Sequence, residues 1–432
     1  MKEVEEAFAI SSSRLQQMVT DFHAEMRRGL AGESGSLKML PAFVDCATGQ
    51  EQGHFIGLDL GGTHFRVLLV VLAGNGRSVV EQSSKFVIPK SVMEGEGTEL
   101  FDFIARSILD FLTDHALADR QMFLGFTFSF PVDQKTINSG RLVTWTKGFS
   151  ASGVVGKDIV RMLADALRRH TVENITISAL VNDTVGTLLA KSYELEDCDA
   201  GVIFGTGTNA CYRETTAAIT KLSGQEKSNK NMIVNIEWGN FNLLPVNCYD
   251  SILDKESNNP GKQMMEKMIS GMYLGQLVHT VLVEVIQKTT IFSKSFAACV
   301  GAELLTSDIS DFENDVSPEH EIIHAYLDSI GVKGSSIEER NIILQICRHI
   351  STRAARIAAA AISAVVTWMD PGLERHHSIA VDGTLYAKHP HFKQTIITTL
   401  QELHGGAGSK FSLTQSCDGS GTGAAIAAAV AE

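Results

Sequence analysis

The chain has no excess of positive charge: 37 lysines and arginines stand against 50 aspartates and glutamates, for a formal net charge of −13. The molecule as a whole repels polyanions, so nucleic acid is not an expected partner. Paired cysteines are also missing. The seven thiols, at Cys46, Cys198, Cys211, Cys248, Cys299, Cys347 and Cys417, are odd in number, scattered, and include no C-x-x-C pair. That pattern argues against a disulfide framework and fits a reducing compartment. No uncharged apolar run reaches about 20 residues, and the opening MKEVEEAFAI is acidic where a secretory signal would be apolar. A soluble cytoplasmic protein with no membrane partner is the expectation. Neither a P-loop nor a dinucleotide G-x-G-x-x-G occurs, so those two nucleotide-binding loops are excluded.

What is present is a globular composition, 44% hydrophobic and 20% charged over 432 residues, enough for two cores. Ala7, Leu15, Met18, Val19 and Phe22 recur at helical spacing, predicting a packing helix over residues 1–30. Residues 54–72 read as two strands broken by Gly61-Gly62, and 201–213 repeat the pattern of strand, glycine-rich turn and strand, which suggests a duplicated architecture. Strands are also predicted at 124–131, 175–181 and 231–241, and helices at 260–286 and 339–369. Asp183 stands where the 175–181 strand meets a helix and can cap it. Segment 214–230 is polar and reads as a loop. Residues 377–400 read as strand, turn and helix, and the chain closes on a strand, a DGSGTG turn and an alanine-rich helix over 424–431.

A phosphate chain needs several N–H donors at short range, which backbone free of side chains supplies. Three turns qualify: Asp59-Leu60-Gly61-Gly62-Thr63, Gly205-Thr206-Gly207-Thr208 and Asp418-Gly419-Ser420-Gly421. Taken singly, each is as readily a plain hairpin or helix start; three of them, each after a strand, favour phosphate. Together with FSFP (128–131), WTKGF (145–149), NDT (182–184), NIEWG (235–239), NPGKQMMEKMISGMYLG (259–275) and VDGTLYAKHP (381–390), these segments resemble the hexokinase family, in that family's order and over nearly the whole chain after residue 50.

The resemblance implies a two-lobed α/β fold of the actin-like ATPase, or ribonuclease H-like, kind with a sugar cleft between the lobes. Residues 1–50 would be a helical segment on the large domain, 51–182 the small domain completed by a helix at 419–432, and 183–418 the large domain. It implies transfer of the γ-phosphoryl group of Mg-ATP to the 6-hydroxyl of glucose or a similar hexose, by a monomer or homodimer. Ser129, Phe130, Pro131, Thr146, Lys147, Asn182, Asp183, Asn209, Glu237, Gln263 and Glu266 would line the sugar site, with Asp183 as base and Lys147 balancing charge. A polyol is recognised by such carboxylates and amides. Alone, Glu237 and Glu266 would be ordinary surface carboxylates and Asp183 an ordinary helix cap.

On the nucleotide side the resemblance implies Asp59, Gly61, Gly62, Thr63, Arg66, Thr206, Gly207, Thr208, Asp382, Gly383, Thr384 and Ser420, with Asp59 orienting Mg²⁺ through water. Two positions depart from the family's usual pattern. Asn240 stands where EWGAF has alanine, and Thr422 replaces a lysine, a change expected to act through a solvated charge near the nucleotide. Two rivals share the fold: a catalytically silent hexose sensor, against which Asp183 and Lys147 argue, and an actin-like chaperone or filament protein, which has no use for Asn209, Glu237 and Glu266 together.

Overall fold

The structure is a computed structural model and describes residues 1–222, 230–288, 303–416 and 418–432. Cys299, Cys417 and positions 223–229 of the expected loop lie outside the described residues. The strands described are β1 (Leu40–Pro41), β2 (Gln52–Leu60), β3 (His64–Ala73), β4 (Ser78–Val87), β5 (Met122–Phe128), β6 (Val132–Thr136), β7 (Ser139–Leu142), β8 (Ile175–Val181), β9 (Cys198–Phe204), β10 (Thr208–Thr215), β11 (Asn231–Asn235), β12 (His377–Asp382) and β13 (Phe411–Gln415).

Two large sheets share one topology. In the first, ordered β4-β3-β2-β5-β8, strands β2, β3 and β4 form an antiparallel meander and β5 and β8 join it in parallel. In the second, ordered β1-β11-β10-β9-β12-β13, strands β9, β10 and β11 form the meander and β12 and β13 join in parallel, with the short β1 added at the edge. The repeat glimpsed in two glycine-rich hairpins therefore extends to a five-stranded unit. Strands that are covered on both faces read as near-continuous apolar runs, as in the buried stretch of β3, Val67 to Val70.

Three cores hold these sheets. The first sheet is covered by the helices Gly97–Asp114 and Ile159–Arg169. The second is covered by the long helix Ile337–Met369 and by the N-terminal segment. That segment is two helices rather than the single one expected, Lys2–Phe8 and Ser12–Ala31. The backbone extends at Ala9, and Ser11 caps the new start by accepting from the Arg14 N–H. Arg353 pins it from below: its guanidinium makes two 2.7 Å bonds to Asp250 and lies 4.5 Å from the Phe8 ring. The long helix is apolar enough to cross a membrane by length and composition, but 83% of that apolar window is buried inside the protein.

The third core joins the sheets through two helices, Asp183–Glu194 and Gly419–Val430. Their approach is close because small residues meet. A β-carbon on Gly125 of β5 would collide with the Ala424 carbonyl, and one on Gly423 with the carbonyl of Gly186. Of the two starts expected for the last helix, 419 and 424, the structure has the first, which corrects the DGSGTG turn before 424. Only Asp418 leaves helical geometry, at φ 56°, and Gly419 already begins the helix, because its glycines serve contact rather than chain reversal.

Candidate active site

The first glycine-rich turn links β2 to β3 and carries Asp59 on its incoming strand and Arg66 on its outgoing one. The Arg66 guanidinium donates to Asp59 Oδ2 at 2.8 Å and also pairs with Asp418. The Ser420 hydroxyl donates to the same Asp59 oxygen at 2.8 Å, while Thr127 holds the Ser420 carbonyl at 2.8 Å. One oxygen of Asp59 is thus tied to the neighbouring helix, and its other oxygen has no hydrogen bond among the described residues. Gly62 has nothing beyond its chain neighbours within 4 Å of where a side chain would begin, so its backbone faces open space.

The second turn, between β9 and β10, is fixed from outside. The Gly271 N–H donates to the Gly205 carbonyl at 2.8 Å and the Met272 N–H to that of Thr206 at 3.0 Å. Gly383, at φ 115°, passes so near the Phe204 carbonyl that a side chain there would collide. Glycine is needed at 383 for both reasons. It brings Asp382 and Thr384 up to this turn, and Asp382 feels the charges of Asp418, Arg66 and Asp59. Burial pushes the Asp382 carboxyl up, against a 2.6 Å hydrogen bond from the Gly383 N–H that favours its charge.

A second cluster forms where helix Asp183–Glu194 begins. Its cap is Asn182, which accepts from the Thr184 N–H at 3.0 Å and from the Thr184 hydroxyl at 2.7 Å. Asp183 therefore does not cap the helix, contrary to the sequence expectation, and is its first residue. Its Oδ1 accepts from the Thr184 N–H, which leaves Oδ2 facing Lys147 Nζ at 3.9 Å. Lys147 sits at the tip of a turn with φ 54°, followed by Gly148 at φ 81° and closed by a Phe149 N–H to Thr146 carbonyl bond. Phe130, Trp145 and Phe149 pack ring against ring beneath it, so the ammonium is presented from an aromatic platform 5.7 Å from the Phe130 ring. Ser129 is buried at the end of β5, its N–H on the Leu60 carbonyl. Pro131 is half-buried beside it and Thr146 is exposed.

From the second sheet come Asn209, Glu237, Gln263 and Glu266. Asn209 Nδ2 donates to Glu237 at 3.2 Å, and Glu266 accepts from the Thr208 N–H at 3.1 Å. Gln263 reaches over Gly239, where its side-chain oxygen occupies the space a β-carbon would take. Burial pushes the Glu237 carboxyl up, aided by the negative charge of Asp183 and opposed by amide hydrogen bonds and Lys147. Burial does the same to Glu266, with Glu237 and Asp183 adding to it. Each keeps one oxygen without a hydrogen bond among the described residues: Glu237 Oε2 and Glu266 Oε1.

Two differences from the sequence reading stand out. Thr208 does not offer its side chain to a ligand: the hydroxyl donates to the Ile203 carbonyl and accepts from the Trp238 indole, and the N–H is held by Glu266. Thr206, by contrast, is exposed. Thr422 is 9% exposed, which removes the solvated position assumed for a lysine there. Sequence reasoning also missed Asp418 as the partner of Arg66. The available signal was its place directly before the glycine run of the third turn. Thr63 is exposed, its hydroxyl 3.0 Å from His64 Nδ1.

Family models described as hexokinase match residues 1–193 and 199–430. Hexokinase-7 of Oryza sativa subsp. japonica is 44% identical over 440 residues, covering 98% of this chain and 95% of its own. Hexokinase-1 of Spinacia oleracea is 41% identical over 448 residues, covering 99% and 90%. Among solved structures, a hexokinase from Schistosoma mansoni complexed with glucose superposes with a TM-score of 0.87 at 34% identity, covering 99% of this chain and 97% of that one.

Proposed function

The chain belongs to the hexokinase family, and on that premise we propose that its two clusters are the halves of one phosphoryl-transfer site, taking ATP at the glycine-rich turns and glucose between Lys147, Asp183, Asn209, Glu237 and Glu266. It is an ATP-dependent hexose kinase. The observation that carries the assignment of the site is the Asp183 carboxylate: Asn182 relieves it of capping, and its Oδ2, with no hydrogen bond among the described residues, pairs with Lys147 Nζ across the cleft at 3.9 Å. Transfer to an alcohol needs a base within reach of the attacking hydroxyl, and Asp183 Oδ2 is the oxygen placed for it.

The Glu237 and Glu266 oxygens left free accept from sugar hydroxyls, and Lys147 offsets the charge of three carboxylates around one point. Among the described residues no three His, Cys, Asp or Glu side chains are grouped to cage a metal. Mg²⁺ keeps its waters and is held chiefly by substrate phosphates with one or two carboxylates. Asp59, through its oxygen without a hydrogen bond among the described residues, would orient it by way of a water. When bound, the ion would supply positive charge to offset that of the phosphates. The N–H groups of the Gly61-Gly62 turn and of Thr206 and Gly207 donate to the phosphates, and Arg66 can exchange a carboxylate for a phosphate oxygen. Asp382, Gly383 and Thr384 flank the nucleoside end. We assign the protein to the cytoplasm on its sequence features alone.

The test is ATP consumption across a panel of hexoses with a no-sugar control. Turnover that depends on glucose supports the reading; equal consumption with and without any hexose overturns it.

A further inference from the structure

Asn235 belongs to the NIEWG segment but received no role from the sequence. It is 7% exposed and ends β11, where its backbone pairs with Cys211 of β10 on one side and Leu40 of β1 on the other. Its main chain is therefore fixed by two neighbouring strands. Its side chain is polar and buried, with a hydrogen bond at each end of the amide. Nδ2 donates to Glu237 Oε1 at 2.9 Å, and Oδ1 accepts from Asn209 Nδ2 at 2.8 Å. Asn209 in turn donates to the same Glu237 oxygen at 3.2 Å, closing a triangle. Behind it Asn235 and Asn182 line a cavity of about 20 Å³, room for a single water.

Glu237 needs such support. It lies just past the strand at φ 58°, in the left-handed region, so neither strand nor helix geometry directs its side chain. Both amides converge on Oε1, which leaves Oε2 without a hydrogen bond among the described residues. We infer that Asn235 is a positioning residue for hexose binding, carrying the rigidity of β11 to the Glu237 carboxylate and the Asn209 amide. The inference rests on the reading of this cluster as the hexose site. It goes beyond that reading by naming a residue that need not touch the sugar.

Three charged groups face Glu237 from the elements around it. Asp183 comes from the start of its helix, Lys147 from the aromatic-backed turn, and Glu266 from helix Met264–Ile269. Two of them are negative, so the Asn235 N–H stabilises a carboxylate that its surroundings disfavour. Removing that donor makes Glu237 easier to protonate, and hexose binding is lost at a higher pH on the acid side.

The experiment compares Asn235→Asp, isosteric but unable to donate when ionised, with Asn235→Ala, using Glu237→Gln as reference. In both Asn235 variants KM for glucose is expected to rise about 10- to 100-fold, the scale of a lost hydrogen bond to a charged group. KM for ATP should hold within about two-fold, and the acid limb of kcat/KM for glucose should move up by roughly one pH unit. If Glu237→Gln raises KM for glucose while neither Asn235 variant moves that constant or the acid limb, the positioning role is overturned. KM for both substrates and the thermal midpoint shifting together, with the acid limb fixed, would mark a merely structural asparagine and also overturn it. A Glu237→Gln enzyme with unaltered KM for glucose would bring down the reading of the site itself, and this inference with it.

Discussion

Four side chains of the site, Lys147, Glu237, Gln263 and Asp418, stand on backbone with φ between 54° and 58°. None is glycine, and a left-handed L-residue costs about 1–2 kcal/mol. Such positions persist where the surroundings dictate them, and here they aim side chains across the cleft that regular structure would direct elsewhere. Asp183 shows the opposite arrangement, a relaxed first-turn residue whose capping duty is taken by Asn182. Asp183→Asn keeps the cap and an acceptor for the Thr184 N–H, so helix and sugar site should survive. Loss of the base should lower kcat by about 10²–10⁴ while KM for glucose stays within a few-fold. Steady-state kinetics at saturating ATP decides this, and near-normal kcat would remove Asp183 from the chemistry.

The decisive element is the helix Gly419–Val430. It places Ser420 on Asp59 and Asp418 on Arg66, so it sets the cluster proposed for the phosphates while packing against β2, β5 and Asp183–Glu194. Its seat depends on glycines in other elements. Gly125→Ala sets a methyl group against the Ala424 carbonyl and should cost roughly 1–3 kcal/mol of stability, the usual scale of overpacking. Because the helix must shift to accept it, KM for ATP should rise while KM for glucose changes little. Denaturant unfolding together with kinetics checks both, and unchanged stability would mean the contact yields more readily than its geometry indicates. The same packing revises the meaning of Thr422. A lysine at a buried position disturbs the helix seat before it adds any solvated charge.

At the scale of the molecule, two sheets of one topology face a common cleft and are bridged by two helices. Ser129, Thr146 and Lys147 belong to the first sheet's side; Asn209, Glu237 and Glu266 belong to the second. A sugar that touches both sets favours the arrangement that brings them together, which also keeps water from the transferring phosphoryl group. Solution scattering should therefore give a smaller radius of gyration with saturating glucose than without it. Superimposable curves with binding shown independently would refute closure.

The sequence by itself determined the chemistry and the order of its parts. Motifs at 57–67, 128–131, 145–149, 182–184, 205–212 and 235–239 are local in the chain, so their residue types and spacing could be read directly, and with them the family and its fold. Hairpin turns were legible for the same reason, whereas the strand expected over 231–241 ends at Asn235 and the helix expected over 260–286 is two, Met264–Ile269 and Leu274–Lys288. Tertiary structure alone decided what depends on partners far apart in sequence. Arg66 meets Asp418 across 352 positions, and Asn235 reaches Asn209 from a neighbouring strand. Thr208 turns inward to the indole of Trp238, and Thr422 is covered by packing. Asn182 rather than Asp183 became the cap through a backbone geometry that both residues could have adopted. A sequence states which groups are available, but hydrogen bonding and burial are settled only when distant segments compete for the same few ångströms of space.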